Sequence, residues 1–128
     1  MNLLSVRVGT NDIVKARAFY DATFAALGVP ITAGAAGMAV AFYKLPGAFF
    51  IVGPARDGQP ATHANGGTIL FSADDDAAVA AWHAAGLANG GSSEGDPEPK
   101  PKARGAFGAY LRDPDGNKLG AFCGLKMG

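Results

Sequence analysis

Arg7 is the residue in this chain whose chemistry most demands a partner. It stands in Leu3-Leu4-Ser5-Val6-Arg7-Val8, where Leu4, Val6 and Val8 alternate with Leu3, Ser5 and Arg7. That is the pattern of a strand with one apolar and one more polar face. A guanidinium on a covered face requires a carboxylate or phosphate, from the protein or from a ligand, unless its stem carries the charge to a rim. Ser5 has no base beside it, because Arg7 cannot accept a proton at neutral pH. The two histidines read plainly: His83, in Ala81-Trp82-His83-Ala84, as a surface or helix-packing residue, and His63 as part of a polar linker, at most at a rim. Cys123, the single cysteine, can form no internal disulfide and reads as a buried inert thiol in a reducing compartment. Asp74-Asp75-Asp76 suits a helix N-terminus, and Asp113 and Asp115 suit a turn. Neither GxSxG nor HExxH is present, nor a Cys–His pair in register, nor a phosphate-binding glycine loop, so no nucleophile–base constellation is visible.

The elements that must position these residues follow from patterning. At 128 residues and 48% hydrophobic, the chain can bury a core as one domain. Eleven basic side chains balance eleven acidic ones, which leaves no basic footprint for nucleic acid. The opening MNLLSVRVGTND lacks the apolar run of about 7–15 residues of a signal peptide, and no stretch of about 18 apolar residues could span a membrane. A cytoplasmic protein with no nucleic-acid or membrane partner is expected. Leu3–Val8 reads as a strand; Asn11 or Asp12 caps a helix over Ile13–Leu27, ended by Gly28 and Pro30. Strand-like runs follow around Ile31, over Met38–Tyr43 and over Ala48–Val52. Residues 54–67 read as a linker. The order then restarts with a strand at Thr68–Phe71 and a helix from Asp74–Asp76 to about Leu87. Residues 92–105 are Pro-, Lys- and Glu-rich and read as an extended strand or mobile loop. Strands at Phe107–Arg112 and Lys118–Cys123 flank the turn Asp113-Pro114-Asp115-Gly116-Asn117. An offset of 63 residues sets Ser5 on Thr68, Val6 on Ile69, Val8 on Phe71, Asp12 on Asp75 and Phe19-Tyr20 on Trp82-His83. The expectation is an α+β fold of two tandem βαβββ modules, about 1–55 and about 68–128, curling mixed sheets around a groove with helices outside.

Three segments carry a family resemblance: Val8-Gly9-Thr10-Asn11-Asp12 leading to Ala18-Phe19-Tyr20-Asp21 and Leu27-Gly28; Asn65-Gly66-Gly67-Thr68-Ile69-Leu70-Phe71; and Ala109-Tyr110-Leu111-Arg112-Asp113-Pro114-Asp115-Gly116-Asn117-Lys118. In order and spacing the chain resembles the vicinal oxygen chelate superfamily of glyoxalase, bleomycin-resistance and extradiol-dioxygenase proteins. The resemblance implies a divalent metal held by His, Glu or Gln on the concave sheet faces. Carried over, the donor positions fall on Ser5, Thr68 and Gly120, with the fourth near Phe49. None of these supplies a strong ligand for Zn²⁺, Fe²⁺, Ni²⁺ or Mn²⁺. A one-residue slip reaches only Leu4, Val6, Gly67, Ile69, Leu119 and Ala121.

The resemblance thus points to a groove without metal or other cofactor. Alternation from Ser5, Thr68 and Gly120 places Arg7, Leu70, Lys118 and Phe122 on the same face, and Phe49 and Tyr110 complete the candidate ligand-binding set. Such a lining suits a small, partly apolar, anion-bearing organic molecule, held by a cytoplasmic homodimer. Two alternatives stay open. One is a lyase or dioxygenase-type enzyme with a displaced site; the other is an interaction module whose groove Phe49, Tyr110 and Phe122 fill themselves.

Overall fold

The computed structural model describes residues 1–31 and 38–125. Its first half runs β1 (Ser5–Gly9), α1 (Ile13–Ala26), β2 (Ala41–Leu45), β3 (Ala48–Gly53); its second runs β4 (Ile69–Ser72), α2 (Asp76–Ala88), β5 (Ser92–Lys100), a 3₁₀ turn at Pro101–Ala103, β6 (Ala106–Arg112) and β7 (Lys118–Cys123). The strands form two sheets, ordered β1-β3-β2 and β4-β7-β6-β5. In both, the strand before the helix pairs in parallel with the last strand of its module, and the remaining pairs are antiparallel. The duplication read in the sequence is thus a duplication of topology.

Each helix begins where an aspartate can accept hydrogen bonds from the first free amides. The Asp12 carboxylate accepts from the N–H groups of Val14 and Lys15, and Asp75 accepts from that of Ala78. Helical periodicity then buries Ala16, Phe19, Tyr20, Thr23 and Phe24 on α1, and Val79, Trp82, His83 and Gly86 on α2. Gly86 is where the modules close up: a β-carbon there would lie 2.3 Å from Leu111 Cδ1 and 3.1 Å from Phe19 Cε2. The aromatic core crosses the same boundary. Phe71 of β4 packs 5.2 Å from the Phe24 ring and 5.7 Å from the Phe50 ring.

Several expectations shift. The first strand starts at Ser5, leaving Leu3 and Leu4 exposed before it. The run from Met38 becomes a strand only at Ala41, because the carbonyls of Met38 and Val40 accept from the Arg17 guanidinium instead of a neighbouring strand. Ile31 lies outside any strand, and the rest of that expected run falls in residues 32–37, outside the described residues. The strand expected at Thr68 begins one residue later, at Ile69. Residues 92–100 form an ordered edge strand in which Pro97 and Pro99 are tolerated, since an edge leaves one side of the backbone without ladder partners. None of the helices among the described residues is long and apolar enough to cross a membrane.

Candidate functional site

Strand register decides which side chains share a face. In the first sheet Val6, Phe50 and Tyr43 stand side by side toward the helices, as do Val8, Val52 and Ala41. The opposite face carries one row of Ser5, Phe49 and Lys44 and a second of Arg7, Ile51 and Phe42. That face is open: Phe42 is 47% exposed and Phe49 is 46% exposed, so two large aromatic rings stand in water beside two cations. Sequence reasoning placed Ser5, Arg7 and Phe49 here and omitted Phe42, Lys44 and Ile51. The alternation Phe42/Lys44 against Ala41/Tyr43 was the available signal, but only the register shows which parity faces outward.

Among the described residues no carboxylate pairs with Arg7. Its Nη2 donates to the Pro54 carbonyl at 2.8 Å, at the point where the linker leaves β3. The ion pairs among the described residues are Lys100–Glu98 and Arg112–Glu94, both in the second module. A backbone carbonyl fixes the guanidinium through one N–H and leaves its other donors for a partner on the open face.

The second sheet is built on the same plan and filled differently. Leu70, Gly120 and Tyr110 form one row away from the helices; Ser72, Phe122 and Gly108 form the next. Here the glycines are places where neighbouring side chains lie down. A β-carbon on Gly108 would meet three Phe122 ring atoms at 2.3–2.7 Å, and one on Gly120 would meet Leu70 at 2.6 Å and Tyr110 at 3.0 Å. Phe122 is therefore only 3% exposed, its ring 5.5 Å from that of Tyr110 in an edge-on contact. Lys118 Nζ sits 5.1 Å from the Tyr110 ring centre, a cation–π contact. Of the residues expected to line a groove, Leu70, Tyr110 and Lys118 remain reachable from solvent, Thr68 is exposed just before β4, and Gly120 and Phe122 are covered.

A cleft of about 780 Å³ lies between the C-terminal end of α1, the β2–β3 turn and β4. Phe24, Leu27, Leu45, Pro46, Leu70 and Phe71 give it apolar walls, with Lys44 and Asp74 as its charged residues. Its size is that of a small-molecule site. Only Leu70 in it was foreseen, because the cleft depends on how two distant turns approach each other.

The Asp113–Asn117 turn occupies the corresponding place at the other end of the pseudo-symmetric pair. Asp113 is buried, and its carboxylate accepts from the amides of Asp115 and Asn117, from Asn117 Nδ2 and from Tyr20 OH at 2.5 Å. Asn117 Nδ2 also donates to the Gly9 carbonyl, Asn11 N–H donates to Asp115, and Asn11 and Ala61 exchange two further bonds. Gly116 takes a positive φ of 90° that permits the turn, and the His63 ring packs beside it. Burial raises the Asp113 carboxyl above the usual carboxylate range against the pull of its four donors, and burial beside Asp113 raises the Tyr20 phenol further from ionisation. The turn is thus a latch between modules, as a structural reading of the aspartates predicts. Cys123 is half-buried rather than fully buried; its Sγ lies 2.7 Å from Asp76 Oδ1, and that contact raises the thiol pKa and keeps it protonated.

Comparison with solved structures places the whole chain. A glyoxalase/bleomycin resistance protein from Albidiferax ferrireducens T118 is 42% identical over 94% of this chain and 96% of that one, with a TM-score of 0.82. A lactoylglutathione lyase from Agrobacterium tumefaciens is 25% identical over 95% and 92% of the two chains, with a TM-score of 0.63. A glyoxalase/bleomycin resistance protein/dioxygenase family enzyme from Burkholderia phytofirmans PsJN shares the fold at 18% identity and a TM-score of 0.73, over 96% and 98%. Family models and curated proteins give no match. With a βαββ half and a βαβββ half among the described residues and this likeness along nearly its full length, the chain belongs to the glyoxalase/bleomycin resistance protein family, within the vicinal oxygen chelate superfamily.

The positions that the resemblance assigns to a divalent metal, Ser5, Phe49, Thr68 and Gly120, carry no imidazole, carboxylate or thiolate. Ser5 and Phe49 stand opposite each other in the β1–β3 register, so the two matched positions meet as a hydroxyl and an aromatic ring. Thr68 offers a second hydroxyl and Gly120 offers no side chain. Among the described residues no three His, Cys, Asp or Glu side chains gather in a group that could hold an ion.

Proposed function

We propose that this protein, cytoplasmic and paired as a homodimer, binds a small, partly apolar organic molecule that carries an anionic group, without a metal ion. The observation that carries this reading is the open face of the first sheet. Arg7 and Lys44 stand there with no carboxylate partner among the described residues, beside the exposed rings of Phe42 and Phe49. Exposed aromatic rings gain from being covered by an apolar ligand, and an unneutralised guanidinium gains from a carboxylate or phosphate aligned with its N–H fork. The 780 Å³ cleft, which shares Lys44 with this face, supports room for such a ligand's apolar body. Filling of the second sheet by Phe122, Tyr110 and Leu70 supports placing the ligand against the first.

Screening aryl and aliphatic carboxylates by thermal shift, followed by calorimetric titration of the hits, tests the reading. Ligand at 100 times Kd should stabilise the fold by about 2.7 kcal/mol. Arg7→Ala should weaken carboxylate hits by roughly tenfold or more, the worth of a charge-assisted hydrogen bond, and leave neutral analogues unaffected. Equal affinity of wild type and variant for every anionic hit would remove the anchor and with it the proposal.

A further inference from the structure

A second cluster with reactive chemistry lies away from both open faces, where α2 meets the edge strand β5. Ser93 is in register with Leu111, whose side chain faces the helices, so Ser93 points toward α2 rather than toward the open side. There His83 Nε2 lies 2.8 Å from Ser93 Oγ. The strand departs from regular pairing between Ser93 and Gly95 and again between Gly95 and Glu98. These irregularities bring Asp96 back toward its own strand, with Oδ1 3.3 Å from Ser93 Oγ, and Lys100 Nζ anchors the Asp96 carbonyl at 2.7 Å. Irregular edge strands re-aim side chains in this way. Ser93 and Asp96 are exposed, whereas His83 is buried against the helix–strand seam.

We propose that Ser93 is a nucleophile, with His83 as its general base, and that this cluster accepts acyl groups from small activated esters. A hydroxyl has one proton, and the shorter of its two contacts is the one to the imidazole. Ser93 Oγ–H donates to Asp96 Oδ1 at rest, and with the ring proton on Nδ1 the nearer Nε2 is free to take that proton as the hydroxyl attacks. On attack, Oγ forms a bond to the ester carbonyl carbon while its proton passes to Nε2. The carbonyl–oxygen bond to the leaving group then breaks, and the departing alcohol takes that proton from the imidazolium. Water repeats the sequence, releasing the carboxylic acid and restoring the hydroxyl. The groups facing His83 divide in sign: the Asp96 carboxylate favours the imidazolium formed during transfer, and the Lys100 ammonium opposes it. Burial lowers the His83 pKa and so keeps the resting ring neutral, as a base must be.

The full chain, incubated with p-nitrophenyl acetate and analysed by peptide mass spectrometry, should carry one acetyl group on Ser93. Ser93→Ala, a change at an exposed position, should abolish the adduct while leaving the melting temperature close to that of wild type. His83→Gln should slow acylation by about a hundredfold, the usual contribution of a general base. An unmodified Ser93, or a modification rate unchanged in Ser93→Ala, would overturn the proposal. The first outcome would assign the tautomer in which Nε2–H donates to Ser93, and the second would place the acyl group on another residue. The ligand-binding reading survives either result, since none of the three residues lies on the first sheet.

Discussion

Asp113 shows how much a single residue can do when its partners are distant. Two of its hydrogen bonds are local turn bonds that a DPDGN sequence announces; another comes from Tyr20, 93 positions away in the chain, and no local pattern specifies it. Removing the carboxylate leaves a buried phenol and a buried amide without their acceptor. Asp113→Ala should therefore destabilise the protein by about 3 kcal/mol in urea denaturation, and a loss below about 1 kcal/mol would mean the latch is dispensable. His83 gives a prediction with a sign. Because burial depresses its pKa below the ordinary 6.5, the unfolded chain binds a proton that the folded chain refuses in the window below 6.5. The stability contributed by the neutral ring is complete above that window and is lost as pH falls through it. Wild type should lose stability relative to His83→Gln between about pH 7.5 and about pH 5.5, and parallel curves would contradict the assignment. His83 was legible as a helix-packing residue; its contact with Ser93 was not, because irregular strand register leaves no periodic trace.

At the scale of elements, alternation and capping were readable and strand ends were not. Asp12 and Asp75 mark the helix starts. The first and third strands of the opening module appear within a residue or two of their hydrophobic alternation, apart from Leu3 and Leu4. The second starts late because Arg17, on a helix, takes its carbonyls. The proline-rich β5 was ambiguous in the sequence since Pro97 and Pro99 exclude only a central strand, and edge position is a property of the assembled sheet. The small residues of the second sheet carry its most specific packing. Gly108 lies beneath the Phe122 ring, so Gly108→Ala must displace a buried aromatic side chain and should cost about 1–3 kcal/mol in chemical denaturation. A neutral effect would show that the ring has room to move and that the second face can open.

Over the whole molecule, two similar halves have diverged in what they do with the face away from the helices. The first exposes Phe42 and Phe49 with Arg7 and Lys44; the second covers Phe122 and surrounds Tyr110 with its own side chains. The ends of the pair diverge as well, one closed by the Asp113 latch and the other left as a cleft beside the β2–β3 turn. The duplication and the family were legible from order and spacing. Which half stays open was not, since it depends on which rings lie across Gly108 and Gly120. The proposed function requires this chain to keep the superfamily's architecture without the donors of its metal. Calorimetric titration of the untagged protein with Ni²⁺ and Zn²⁺ tests it most directly. No one-to-one site tighter than roughly 0.1 mM is expected, because hydroxyls, a phenyl ring and a glycine cannot replace imidazole and carboxylate. Stoichiometric binding at micromolar affinity, lost on substitution of Ser5 or Thr68, would contradict it.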